Sequence, residues 1–126
     1  MSNKKRILIT EDDSALRRAL VDTFTAEGYD VSEADNGQTG LEVAVRVHPD
    51  VILLDLVMPV MDGLAMLNLL RADEWGKDVP VLILTNSSQG DDIEKALALG
   101  VHDFLVKTDW QLKDVVARVK EKMKTS

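Results

Sequence analysis

Strand-like and helix-like periods alternate five times along this chain of 126 residues. Four apolar runs are continuous: Ile7-Leu8-Ile9, Val51-Ile52-Leu53-Leu54, Val81-Leu82-Ile83-Leu84 and Phe104-Leu105-Val106. A parallel strand buried on both faces carries such a run, because neither side of its pleat meets water. Tyr29–Ala34 instead alternates polar with apolar residues, the mark of one partly wet face. The second strand is therefore expected at a sheet edge. The first (Lys5–Thr10), third and fourth are expected inside.

Between these runs, apolar residues return at helical spacing. Ser14–Glu27 puts Leu16, Ala19, Leu20, Thr23 and Phe24 on one stripe, and Gly28 breaks it. Gln38–Val47 offers Leu41, Ala44 and Val45 before His48-Pro49 ends the pattern. Leu64–Ala72 follows a loop with Pro59 and Asp62-Gly63 turn chemistry. The segment Asn86–Gly90 leads into a fourth helix bearing Ile93, Ala96 and Leu97. The last helix has the clearest stripe, Leu112, Val115, Val116, Val119 and Met123, and Thr108-Asp109-Trp110-Gln111 reads as its capping box. No linker, repeat or low-complexity segment interrupts the series. It predicts a single α/β domain over residues 1–126: a doubly wound (βα)5 unit whose five-stranded parallel sheet has helices on both faces.

Chemistry is concentrated where the strands stop. Thr10 precedes Glu11-Asp12-Asp13, Leu54 precedes Asp55, Leu84 precedes Thr85, and Val106 precedes Lys107. Parallel strands bring all four ends to the carboxyl edge of the sheet, where open α/β sheets bind ligands. Glu11, Asp12 and Asp55 gathered there would repel one another without a cation. Mg²⁺, with Mn²⁺ as an alternative, suits an all-oxygen site that also takes phosphate. An aspartate at a strand end can attack phosphorus, while Lys107 and the Thr85 hydroxyl stabilise the phosphoryl oxygens. Asp13 is read as a helix-start residue.

Composition narrows the field. Hydrophobic residues are 45% and charged residues 29%, as in a globular protein. A net charge of -7 argues against direct contact with nucleic acid or an anionic membrane, both of which need a basic face. The chain has no cysteine, which excludes disulfides and thiolate metal sites, and His48 and His102 alone make no structural zinc set. There is no signal-peptide pattern and no run near the roughly 18 apolar residues of a membrane span. A cytoplasmic location is expected.

The segments Thr10-Glu11-Asp12-Asp13, Leu54-Asp55-Leu56-Val57-Met58-Pro59-Val60-Met61-Asp62-Gly63, Leu84-Thr85 and Val106-Lys107 resemble the receiver domain of two-component response regulators. The resemblance covers essentially the whole chain. It implies the flavodoxin-like strand order 2-1-3-4-5, with Asp55 as phospho-acceptor and Asp12 as a direct metal ligand. Glu11 would act on the metal through water, and the Val57 backbone carbonyl would complete the protein ligands. Thr85 and Lys107 would contact the phosphoryl oxygens, and Phe104 would change rotamer as Thr85 moves. A sensor histidine kinase or a phosphotransfer protein would supply the phosphoryl group. An output protein that the sequence does not name would read the result.

Two positions depart from the family pattern: Thr108 stands where proline is usual, often after a cis peptide, and Asn86 stands where a small residue is usual. Because the chain ends at Ser126, no output domain is expected in it, and the resemblance implies a stand-alone receiver or one excised from a longer protein.

Other readings fit less well. A metal-dependent phosphohydrolase with an aspartate nucleophile needs a second Asp two residues after Asp55, where Val57 transfers no proton. A flavin or nucleotide carrier needs a Gly-rich phosphate cradle, and none is present. A receiver-like binding module outside phosphorylation control is expected to have lost Asp12, Asp55 or Lys107, and all three remain. The domain is expected to assist only its own phosphorylation and dephosphorylation, not to act as an enzyme.

Overall fold

A computed structural model describes residues 4–85, 90–106 and 111–124, with only the backbone of Thr85, Gly90 and Lys124. The elements follow in the order β1 (Arg6–Thr10), α1 (Ser14–Ala26), β2 (Asp30–Ala34), α2 (Gly37–Val47) and β3 (Val51–Asp55). They continue with α3 (Gly63–Ala72), β4 (Val81–Thr85), α4 (Gly90–Ala98), β5 (Asp103–Val106) and α5 (Leu112–Lys124). All pairings are parallel, and the sheet order is β2-β1-β3-β4-β5, the expected flavodoxin-like arrangement. The alternating strand β2 lies at one edge, and the continuous runs β1, β3 and β4 lie inside.

Successive strand residues point to opposite faces, so each inner strand feeds two cores. Leu8, Ile52, Leu54 and Ile83 pack with Ala44, Met66, Leu67, Leu70 and Ala96 of α2, α3 and α4. Ile7, Ile9, Leu53, Leu82 and Leu84 pack with Leu20, Phe24, Val115, Val116 and Val119 of α1 and α5. These burials supply the main stabilisation, about 1.5–3 kcal/mol for each fully buried large apolar side chain.

Local chemistry sets the helix ends. Asp13 caps α1, its Oδ1 accepting from the Ala15 N–H at 3.0 Å and the Leu16 N–H at 3.2 Å. Asn36 and Asp62 cap α2 and α3 in the same way. His48 takes a left-handed conformation at φ 54 and closes α2, where Pro49 forbids continuation. At α5 the expected boundary is corrected. Gln111 occupies the cap position, and the Asp114 carboxylate folds back to accept its N–H at 2.7 Å. Thr108 lies outside the described residues.

Two core assignments are also corrected. Val45 and Leu97 are exposed, because the buried stripes run through Gly37, Gly40 and Ala44 in α2 and through Ala96 in α4. One residue past the centre of a stripe is a turn of 100°, enough to leave the core.

At the amino-terminal end of the sheet, Arg71 ties three segments together. Its Nε donates to the Leu99 carbonyl, and its Nη1 donates to the Gly76 and Val79 carbonyls, each at 2.8 Å. Burial lowers the pKa of the guanidinium from its ordinary value, and Asp78 works against that shift.

Thr10 is buried beneath α2, and its Oγ1 finds no hydrogen-bond partner among the described residues. A Cβ on Gly40 would stand 2.9 Å from Thr10 Cγ2 and 3.0 Å from Met66 Sδ, so the space is already filled. Thr10→Val replaces the hydroxyl with a methyl of similar size. It should raise unfolding free energy by about 1 kcal/mol, since an unsatisfied buried hydroxyl costs about 1–3 kcal/mol. Urea denaturation checks this, and a loss of stability would show that the hydroxyl is satisfied.

Candidate functional site

Sheet register builds the site. β1 and β3 are neighbours with Thr10 opposite Leu54, so the residues that follow, Glu11 and Asp55, emerge side by side. Carboxylate oxygens of Glu11, Asp12 and Asp55 lie within 4.8 Å of one another. Glu11 is 1% exposed and Asp55 2%, while Asp12 is open to solvent. Burial follows from position: Asp55 ends the central strand, with Leu84 of β4 on its other flank.

Backbone donors orient these acids. The Val57 N–H donates to Asp55 Oδ1 at 3.3 Å, and the Asp13 N–H donates to Glu11 Oε2 at 3.0 Å. The Glu11 N–H itself donates to the Ala34 carbonyl of β2 at 3.0 Å.

The loop from β3 to α3 is tightly wound. Met61 N–H donates to the Pro59 carbonyl at 2.7 Å across Val60, which has φ 68 and is 80% exposed. A β-branched residue in the left-handed region is strained. The loop then closes on β3. The Gly63 N–H donates to the Leu56 carbonyl at 2.9 Å, and a Cβ on Gly63 would sit 2.2 Å from the Asp55 carbonyl oxygen. Only glycine permits that approach.

The expected site residues divide into three groups. Glu11, Asp12 and Asp55 are brought together as expected, and Val57 stands beside them. Phe104 sits in β5 opposite Ile83, partly buried against the core shared with α2, α3 and α4. Thr85 ends β4 opposite Val106, but its side chain lies outside the described residues, as do Lys107, Asn86 and the Lys107–Thr108 peptide.

Three carboxylates, two of them stripped of solvent, make a hard oxygen donor set. Ligand oxygens around Mg²⁺ stand about 3–4 Å apart, given Mg–O distances of about 2.0–2.1 Å. The observed 4.8 Å spread needs little closure to meet that spacing. The residues present therefore fit a divalent cation.

The family model of the response regulator receiver domain matches residues 7–120. The chain belongs to this family. This receiver is 38% identical over 115 residues to the DNA-binding dual master transcriptional regulator RpaA of Synechocystis, covering 91% of this chain and 47% of that protein. It is 40% identical over 115 residues to the transcriptional regulatory protein PrrA of Mycobacterium leprae, covering 91% and 48%. The chain spans about half the length of the curated relatives it matches.

Among solved structures, it resembles the receiver domain of the sensor histidine kinase PA1611 from Pseudomonas aeruginosa, with a TM-score of 0.86 at 27% identity and coverage of 96% and 98%. That structure has a magnesium ion coordinated in its active-site cleft. A CheY-like receiver from Methanospirillum hungatei has a TM-score of 0.89 at 24% identity, covering 98% and 96%, and shares the fold.

Sequence reasoning missed two contributors to this site. Gly63 read only as turn chemistry, although it is the contact point between α3 and the end of β3. Arg17 drew no reading from the sequence. Its Nη1 in fact donates to the Glu11 carbonyl at 2.9 Å. A basic residue six positions after Glu11 was the available signal, and alone it is too common to stand out.

Proposed function

We propose that Asp55 is the phosphoryl acceptor of this receiver, with Asp12, Asp55 and the Val57 carbonyl as the protein ligands of Mg²⁺ and Glu11 acting on it through water. The observation that carries the reading is the convergence of three carboxylates within 4.8 Å around a strand-end aspartate that is 2% exposed. The Val57 N–H holds Asp55 Oδ1 and so fixes the plane of the carboxylate. An Asp55 oxygen forms the new bond to phosphorus as the donor's P–N or P–O bond breaks and the leaving group takes that electron pair. Mg²⁺ supplies charge neutralisation on the phosphoryl oxygens when bound. Thr85 and Lys107 hold those oxygens in this reading, and Thr85 couples the site to the rotamer of Phe104.

Receiver domains of response regulators interact with histidine kinases. For this chain the donor is a histidine kinase or a phosphotransfer protein, and the output is a protein contact made through the switch. The net charge of -7 supports protein over nucleic acid as the domain's own partner. RpaA is named for DNA binding, but the matched part is about half of it. No helix among the described residues is long and apolar enough to cross a membrane. In this reading the receiver works in the cytoplasm beside its phosphoryl donor. The phosphohydrolase alternative is disfavoured by Val57, exposed beside the acceptor with no group to move a proton.

Incubation with acetyl phosphate followed by intact-mass measurement tests the reading. One added phosphoryl group is expected with Mg²⁺ and none with excess chelator. Equal labelling in both would refute the metal assignment.

A further inference from the structure

The guanidinium of Arg17 reaches two elements at once. Its Nη1 donates to the Glu11 carbonyl oxygen at 2.9 Å, and its Nε donates to Glu33 Oε1 of β2, also at 2.9 Å. The Arg17 side chain is only 21% exposed. Its own backbone N–H donates to the Asp13 carbonyl at 2.8 Å, so the whole residue is tied to the loop after β1.

The carbonyl that Arg17 holds belongs to the peptide joining Glu11 to Asp12. Ala34 of β2 holds the other side of Glu11 through its N–H. With both flanks fixed, the plane of the Glu11–Asp12 peptide is set, and with it the direction in which Asp12 leaves the chain. Asp12 is the one exposed member of the acid cluster, so its backbone has the largest part in placing it.

We propose that Arg17 is a positioning residue for the acidic site: by clamping the Glu11–Asp12 peptide to Glu33 it sets the Asp12 carboxylate at the spacing a divalent cation requires. The inference rests on the reading that Glu11, Asp12 and Asp55 hold Mg²⁺. Charge and position predict opposite signs here. As a bare positive charge near the acids, Arg17 repels an incoming cation, so deleting it would tighten Mg²⁺ binding. As a clamp it preorganises the ligands, so deleting it weakens binding.

Calorimetric titration with Mg²⁺ at fixed ionic strength, on wild type, Arg17→Met and Arg17→Lys, separates the two. Arg17→Met should raise Kd about tenfold, the usual scale for losing a group that orients a metal ligand. Arg17→Lys keeps the charge but lacks the planar fork that spans both oxygens, so about threefold is expected. Thermal unfolding without metal establishes that each variant is folded. An Arg17→Met protein that binds Mg²⁺ as tightly as wild type, or more tightly, overturns the proposal. If that variant does not fold, Arg17→Lys decides, and an unchanged Kd overturns it. A wild type that takes up no Mg²⁺ instead overturns the metal reading on which the proposal stands.

Discussion

Asp55→Asn should abolish phosphoryl uptake completely while leaving the fold intact. Asparagine has nearly the same shape, so the buried position at the end of β3 stays filled and the Val57 N–H keeps an oxygen to bond. The amide lacks the nucleophilic carboxylate, so no acyl phosphate forms. Metal-free stability should be equal to or slightly above wild type, because one of three crowded negative charges is gone. Mg²⁺ affinity should fall at least tenfold for the same reason. Intact mass after acetyl phosphate treatment, urea denaturation in chelator and Mg²⁺ titration give the three readouts. Labelling that survives in Asp55→Asn would place the acceptor elsewhere.

Gly63→Ala should be the most damaging methyl that can be added near the site. The new Cβ would meet the Asp55 carbonyl oxygen at 2.2 Å and Leu56 Cα at 2.8 Å, both backbone atoms that no rotamer change relieves. The start of α3 must then lift away from the end of β3, losing the Gly63–Leu56 hydrogen bond. Overpacking usually costs about 1–3 kcal/mol, and with that bond lost we expect about 3 kcal/mol. Mg²⁺ binding should weaken too, because the displaced backbone carries Asp55. Gly28→Ala is the control: it has φ 92 but nothing within 4 Å of the added carbon, so only conformational strain of about 1 kcal/mol applies. Urea denaturation of both variants compares them, and equal losses would mean that the close approach is not the cause.

The inner sheet was legible because burial on two faces leaves an unbroken apolar run, and the one alternating strand is an edge. β5 departs from that rule, since its continuous run Phe104-Leu105-Val106 lies half-buried at the other edge. The acidic site was legible for a related reason: parallel strands put Glu11, Asp12 and Asp55 on one edge whatever the loops do. Helix faces were less clear at their margins. Val45 and Leu97 are apolar residues beside a stripe, and nothing local says that α2 turns Gly37 and Gly40 inward with Ala44 and leaves Val45 out. The start of α5 was misplaced because Thr108-Asp109-Trp110-Gln111 and Gln111 with Asp114 both carry capping chemistry. Gly63 and Arg17 depend on approaches between elements far apart in sequence, which no local pattern reports. The expected parts of Thr85 and Lys107 lie outside the described residues.

The Arg71 tie has a mechanical consequence for α4. Leu99, whose carbonyl takes the Arg71 Nε, directly follows the last turn of that helix, while the first turn at Gly90 leads back toward β4 and Thr85. Ala96, near the tied end, is the buried side chain that seats α4 on the sheet. A rod held at one end responds to a push at the other as a lever, not as a sliding block. Nine residues make an arm of about 13 Å, so a tilt of about 10° about the tie would carry the Gly90 end roughly 2 Å and leave Leu99 almost still.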